Sequence, residues 1–294
     1  MYDIIIIGCG PAGMTAGIYA ARANKKVLIL EKETIGGQMS SAPLIENYPG
    51  YKEVLGSELA GLMYDQAENL GVQIELEEVT EIVDGDIKKV ITEDNTYEAR
   101  ALIIATGSKY RLLGLEKEEE LIGKGIHFCV ACDGAFYKDK EVAVIGGGNS
   151  AVINAITLSD LCKKVTVIQN LEKLTAEEVL IDKLTSKPNV EIITNAIVSK
   201  INGEDELSSI VINEEKEIKL DGMFISIGLI PQSDLVKDLL ELNQYGYIEA
   251  NDSMTKKEGI FVAGDCRNKK IRQVTVATSD GTIAAMNVIE YLNK

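Results

Sequence analysis

Two cysteines with a two-residue spacer, in His127-Phe128-Cys129-Val130-Ala131-Cys132-Asp133-Gly134, are the side chains best suited to chemistry in this sequence. Such a spacing lets both sulfurs close a small-ring disulfide at a turn or helix start, where backbone N–H groups stabilise a thiolate. The same pair could be half of a zinc site, or simply two buried thiols. Zinc takes four ligands, and the chain offers one histidine and no second Cys-x-x-Cys. Redox chemistry is therefore expected, and no metal site. Cys9, Cys162 and Cys266 stand alone and read as structural. His127 reads as a local hydrogen-bonding residue, with tuning of Cys129 as the alternative.

A second pattern concerns nucleotide binding. Asp3-Ile4-Ile5-Ile6-Ile7-Gly8-Cys9-Gly10-Pro11-Ala12-Gly13 is echoed 138 residues later by Glu141-Val142-Ala143-Val144-Ile145-Gly146-Gly147-Gly148-Asn149-Ser150-Ala151. Each copy is an apolar strand, a Gly-x-Gly-x-x-Gly/Ala turn and a helix-like stretch. The echo continues, because Glu31 and Gln169 each close a second strand 23 positions after the first glycine. The first glycine permits the tight turn, the second lets backbone approach a pyrophosphate, and the third position packs helix on strand. N–H groups at the helix start then face the phosphate charge. A lone glycine pattern is weak evidence, but here it recurs in register with its strands and helices.

These elements need a scaffold to position them. Ala101-Leu102-Ile103-Ile104-Ala105-Thr106-Gly107 and Gly222-Met223-Phe224-Ile225-Ser226-Ile227-Gly228 are apolar strands ending in glycine. Each follows an alternating, charge-rich stretch, 72–100 and 189–221, which reads as a β-meander. The later strand Gly259-Ile260-Phe261-Val262-Ala263-Gly264-Asp265 has no counterpart in the second copy and leads into a helix from about Thr278. It most simply returns to complete the first domain. The expected fold is α/β, with two Rossmann-like dinucleotide-binding domains, the second inserted into the first. The expected segments are 1–110, 111–243 and 244–294, with hinges near 109–114 and 230–245.

Composition narrows the functional classes. The chain has 294 residues, 46% of them hydrophobic and 26% charged, an ordinary globular balance. A net charge of −16 repels phosphate backbones and anionic membranes, so no nucleic-acid or membrane partner is expected. No apolar run approaches the ~18 residues of a membrane-spanning helix. The N-terminus reads as a strand and not as a signal peptide, which suggests a soluble, cytoplasmic protein.

With these motifs in place, the chain resembles the low-molecular-weight thioredoxin reductases over residues 1–291. The resemblance rests on Gly8-Cys9-Gly10-Pro11-Ala12-Gly13, Gly36-Gly37-Gln38, Glu46-Asn47-Tyr48-Pro49-Gly50 and Ala105-Thr106-Gly107. It continues through Cys129-Val130-Ala131-Cys132-Asp133-Gly134, Gly264-Asp265 and Arg272-Gln273-Val274. It implies a homodimeric flavoenzyme with FAD in the outer domain and a redox-active disulfide in the inserted one. By position, Gly8, Gly10, Ala12 and Gly13 would meet the FAD pyrophosphate, and Glu31 would accept from ribose hydroxyls. Gly37, Gln38, Asn47, Thr106 and Gly264 would line the cofactor. Asp265 would bind its ribityl or phosphate region, and Arg272, Gln273 and Val274 would reach the isoalloxazine. Cys132 would face the flavin, Cys129 would attack the protein substrate, thioredoxin or a relative of it, and Asp133 would move the thiol proton. A dithiol that serves both a flavin and a bulky protein requires the two domains to move relative to one another. Competing readings are a flavoprotein redox sensor without turnover, and NAD(P)H oxidases or ferredoxin–NADP reductases, which need neither cysteine.

The sequence departs from the family pattern at the electron donor. NADPH-linked members carry a basic His-Arg-Arg segment after strand 2 of the inserted domain, suited to a 2′-phosphate. Here the stretch is Gln169-Asn170-Leu171-Glu172-Lys173-Leu174-Thr175. It has no arginine, and Glu172 adds repulsion. Gln169 also lacks the carboxylate that would hold the ribose of NADH, although the glycine turn itself is intact. The pattern is similar to the ferredoxin-dependent flavin thioredoxin reductases. An acidic ferredoxin would need a local basic patch, for which Arg267, Lys269 and Lys270, beside Arg272, are the first candidates. Arg22, Lys25 and Lys26 are the second.

Overall fold

A computed structural model describes all of residues 1–294 and divides them into two compact units, 1–109 with 230–294, and 110–229. The isoleucine-rich strand Tyr2–Ile7 is buried along Ile4 to Ile7, as a central parallel strand must be. It pairs in parallel with Val27–Glu31 on one side and Thr96–Ile104 on the other. Gln73–Leu76 extends the sheet beyond Val27–Glu31, and Ile260–Val262 adds in parallel to Thr96–Ile104. The late Gly-Asp strand thus completes the first unit. Helices Pro11–Arg22, Gly56–Asn69 and Val274–Leu292 contribute the apolar cluster on one face. Gly281 allows a close approach there, since a Cβ on it would lie 2.2 Å from the Ala12 carbonyl oxygen.

The inserted unit repeats the plan with five parallel strands, in the order Val190–Ile193, Lys164–Ile168, Glu141–Ile145, Gly222–Ile225, Ile126–His127. A three-stranded antiparallel meander, Val198–Gly203, Leu207–Ile212 and Lys216–Lys219, covers part of it.

The structure differs from the expected elements in three places. Gln73–Leu76 and Val190–Ile193, read as the first meander strands, are instead parallel members of the two main sheets. The meander of the outer unit begins only at Val79. Residues 230–243 pack with the outer unit and not the inserted one, because Val236 and Leu240 bury against Ile5, Leu28 and Ile248. The last helix begins at Val274, four residues before Thr278.

Candidate functional site

In the outer unit, the loops that leave the carboxyl ends of four strands converge, the usual place for a ligand in an open α/β sheet. Gly8 turns the chain after Tyr2–Ile7 with φ +109°, and a Cβ there would lie 2.3 Å from the Ala105 carbonyl oxygen. Only glycine fits that position. Gly37 lies within 3.7 Å of Gly10 Cα, and Gly264 lies beside Ala12 Cβ, both measured from the position their own Cβ would take. The space over Gly10 is open for at least 4 Å. Glu31 closes Val27–Glu31, and its Oε2 accepts from the Cys9 N–H at 2.7 Å while Oε1 accepts from the Glu33 N–H at 2.9 Å.

The remaining outer-unit residues are held as follows. Gln38 donates to the Ser108 carbonyl and Thr106 to the Gln232 carbonyl, while Asn47 donates to Gln273 Oε1 at 3.4 Å. Arg272 stacks over Tyr247 at 4.2 Å, and its buried Nε has no hydrogen-bond partner. Val274 opens the last helix. Asp265 Oδ1 is also buried without a hydrogen bond, although Lys269 Nζ stands 3.0 Å away as counter-charge. An open cradle, a strand-end carboxylate and orphaned polar atoms fit a bound dinucleotide.

The structure corrects one expectation here. Lys269 is not a surface cation: its side chain is 7% exposed and lies 3.0 Å from both Asp265 and Asp280. Arg267 pairs with Asp280 at 3.6 Å. Of the proposed basic patch, only Lys270 is exposed. Sequence reasoning missed Asp280, whose Oδ2 also accepts from the Gly264 N–H at 3.1 Å. Nothing in its position within a helix 19 residues long announces that role.

In the inserted unit, Cys129 and Cys132 form a disulfide with a Cα–Cα distance of 5.2 Å. Cys129 caps the short helix Val130–Asp133, and its Sγ accepts from the Cys132 N–H at 3.1 Å. That N–H would stabilise a Cys129 thiolate once the bond opens. Asp133 follows Cys132 directly and is buried. His127 turns its ring nitrogens to Tyr137 and Asp133. Its Nε2 lies 2.7 Å from Tyr137 Oη and its Nδ1 lies 3.3 Å from Asp133 Oδ2. The other thiols behave as structural groups. Burial pushes Cys9 up to about 12, with Glu31 adding to the effect, burial takes Cys162 to about 11, and burial also raises Cys266.

The second glycine turn is built like the first. Gly146 has φ +126°, and a Cβ on it would meet the Ser226 carbonyl oxygen at 2.6 Å. The strand-end side chain again lies against the residue after the first glycine, but here it is a carboxamide and not a carboxylate. The Gln169 side chain packs on Gly147, with Cδ and Nε2 at 2.5 and 2.6 Å from where a Cβ would stand. The Thr175 N–H donates to the Gly147 carbonyl at 2.8 Å. Glu177 exchanges hydrogen bonds with Asn149, the first residue of helix Asn149–Ser159, accepting at 3.0 Å and donating from its own N–H at 2.8 Å. Gln169 and Thr175 thus lie against the turn, and Glu177 brings a carboxylate to the helix start.

Comparison with known proteins agrees with this architecture. The family model for pyridine nucleotide-disulphide oxidoreductases matches residues 2–281. A thioredoxin reductase of Bacillus subtilis (strain 168) is 43% identical, over 100% of this chain and 96% of the relative. A "34.2 kDa protein in rubredoxin operon" from Clostridium pasteurianum is 44% identical over 99% and 97%. The crystal structure of thioredoxin reductase from Streptococcus pyogenes MGAS5005 is 44% identical and superposes with TM-score 0.95, covering 100% of this chain and 98% of that one. The chain therefore belongs to the pyridine nucleotide-disulphide oxidoreductase family, as an FAD-dependent disulfide oxidoreductase of the low-molecular-weight thioredoxin reductase type.

Proposed function

We propose that this chain reduces the disulfide of thioredoxin, or of a thioredoxin-like protein, through Cys129 and Cys132, and that its electron donor is reduced ferredoxin and not NADPH. FAD, when bound, supplies the two-electron carrier that opens the Cys129–Cys132 disulfide. Gly8, Gly10, Ala12 and Gly13 would lie against its pyrophosphate, and Glu31 would accept from its ribose with the lone pairs left free by two backbone N–H bonds. Gly37, Gln38, Asn47, Thr106, Gly264, Asp265, Arg272, Gln273 and Val274 would complete the binding surface.

The substrate half-reaction then belongs to the chain. Cys129 is the better-stabilised thiolate because the Cys132 N–H points at its sulfur. It attacks the substrate disulfide, forming a mixed disulfide and releasing one substrate sulfur. Cys132 attacks Cys129 Sγ, re-forming the chain's disulfide and releasing the second. Two electrons pass from the chain's sulfurs to the substrate's. Asp133, next to Cys132 in the same helical turn, carries the thiol proton to the departing sulfur.

The observation that carries the donor assignment is the make-up of residues 169–177, which offer no arginine to a 2′-phosphate, a carboxamide at Gln169 where the first turn has the Glu31 carboxylate, and the Glu177 carboxylate at the helix start. Glu177, hydrogen-bonded to Asn149 at the helix start, would repel the pyrophosphate of a pyridine nucleotide. Lys270, with Arg22, Lys25 and Lys26, remains as the candidate docking set for an acidic ferredoxin. Anaerobic flavin bleaching by reduced ferredoxin, NADPH and NADH, compared side by side, tests the assignment. Reduced ferredoxin should bleach fastest. Turnover with NADPH at a micromolar KM would place the chain in the NADPH-linked class.

A further inference from the structure

Behind the first glycine turn, a row of charged side chains is largely withdrawn from water. Lys269 Nζ stands 3.0 Å from Asp265 Oδ1 and 3.0 Å from Asp280 Oδ2. Arg267 closes the row, 3.6 Å from Asp280 Oδ1, and donates to Ser253 Oγ at 3.5 Å. Its two carboxylates and two cations cancel in charge. A buried row of this kind often stabilises a fold no better than apolar side chains of the same volume, so its presence calls for another reason. Helix Val274–Leu292 sets it in place. Gly281 fits against the Ala12 carbonyl oxygen, where a Cβ would stand at 2.2 Å, and Asp280 beside it accepts from the Gly264 N–H at 3.1 Å. Gly264 has φ +79°, and a Cβ on it would lie 2.9 Å from Ala12 Cβ. The step from Gly264 to Asp265 is thus fixed against the turn that opens helix Pro11–Arg22. Asp265 Oδ1 is buried against Lys269, while the side chain is 25% exposed, which leaves Oδ2 as the oxygen free to accept.

We propose that Lys269 and Asp280 are positioning residues for the flavin cofactor: they hold Asp265 so that its Oδ2 meets a hydroxyl of the FAD ribityl chain, and Lys269 cancels the charge with which that carboxylate would otherwise repel the neighbouring pyrophosphate. The inference rests on the reading of Asp265 as a cofactor-binding residue. A carboxylate accepts from a hydroxyl more strongly than a neutral oxygen does. Beside a diphosphate, however, its charge opposes binding unless a cation stands behind it. Lys269 is that cation, on the oxygen turned away from the cradle. Asp280 holds the ammonium from the other side and at the same time gives the Gly264 N–H its acceptor. Without the Asp280 carboxylate, Lys269 would lose one of its two anchors, and the residue preceding Asp265 would lose the charged end of its hydrogen bond.

The test uses the full-length, FAD-loaded chain, diluted into flavin-free buffer at a temperature where circular dichroism shows every variant folded. Release of FAD is followed by the rise in flavin fluorescence. Asp280→Asn and Lys269→Met should each release FAD ~5-fold faster or more, the scale of coupling between residues in one charged network. In an Asp265→Asn background neither change should accelerate release further, because no carboxylate remains to be aimed or neutralised. Their cost in stability, read as urea midpoints, should persist in part in that background, which separates a cofactor role from a merely structural one. Release at the parent rate from Asp280→Asn or from Lys269→Met, while Asp265→Asn loses its flavin faster, overturns the proposal and leaves Asp265 standing as a cofactor residue. Equal acceleration with and without the Asp265 carboxylate also overturns it, since the effect would then come from the fold. If Asp265→Asn itself releases FAD at the parent rate, the reading of Asp265 falls, and this inference with it. Should either variant fail to fold, Asp280→Glu and Lys269→Arg, which keep each charge but displace it, decide by the same criterion.

Discussion

Replacing Lys269 by methionine should lower the melting temperature of the chain by roughly 6–12 °C, through loss of about 3 kcal/mol at ~2–4 °C per kcal/mol for a unit of this size. Lys269 Nζ lies 3.0 Å from both Asp265 Oδ1 and Asp280 Oδ2, with the lysine and Asp280 side chains only 7% and 5% exposed. Methionine matches the buried stem but leaves Asp265 without a counter-charge and Asp280 with only Arg267, at 3.6 Å. Breaking a buried pair from one side costs about 3–5 kcal/mol. The lower end applies here, because Arg267 stays and the Asp265 side chain is 25% exposed. Thermal melts of the FAD-loaded protein, followed by circular dichroism at low and high salt, provide the assay. The shift should be nearly independent of salt, because buried pairs are poorly screened. If Lys269→Met melts with the parent and instead slows ferredoxin-driven flavin reduction in a salt-dependent way, Lys269 is a docking cation and the buried-network argument is wrong.

Gly8→Ala should abolish flavin retention, since φ +109° and an approach of 2.3 Å to the Ala105 carbonyl oxygen leave no room for a methyl group; a purified variant with full flavin absorbance would contradict this. Alkylation of the native chain near neutral pH should label no cysteine before disulfide reduction and two after it, because Cys9, Cys162 and Cys266 are buried and titrate above the ordinary thiol range. A third label in the mass spectrum would refute the structural assignment of those thiols. Cys9 binds its proton more tightly folded than unfolded, so stability should fall as pH rises above the ordinary thiol range, at ~1.4 kcal/mol per unit at most from this group. Cys9→Ala should flatten that slope in urea titrations. Lys270→Glu should slow ferredoxin-driven flavin reduction at low salt and leave the unfolding free energy within ~0.5 kcal/mol of the parent; equal rates at low salt would remove Lys270 from the docking set.

Both nucleotide turns can be read from the residues alone, because their constraint is local. A left-handed glycine at position 8 or 146 is demanded by the strand-to-helix turn itself, although the carbonyls against its missing Cβ, those of Ala105 and Ser226, come from the ends of distant strands. The Cys129–Cys132 disulfide has the same character, with its partners three residues apart. Pairing partners and burial are not local. An alternating charged stretch reads the same at the edge of a parallel sheet as in a meander, so Gln73–Leu76 and Val190–Ile193 were placed only by their neighbours Val27–Glu31 and Lys164–Ile168. Residues 230–243 gave no sign of which unit would take them until Val236 and Leu240 met Ile5 and Leu28. Lysines 269 and 270 are the same residue type side by side, yet one is buried between Asp265 and Asp280 and the other is exposed. Likewise, the absence of arginine near Gln169 shows in the sequence, whereas the carboxamide resting on Gly147 does not. His127 and Tyr137 are ten residues apart with no helical or strand period joining them, and only the chain folding back through Asp133 brings their polar atoms within 2.7 Å. Turn geometry and short-range bonding are set by a few consecutive residues, while burial and charge pairing depend on which distant segments the completed fold presses together.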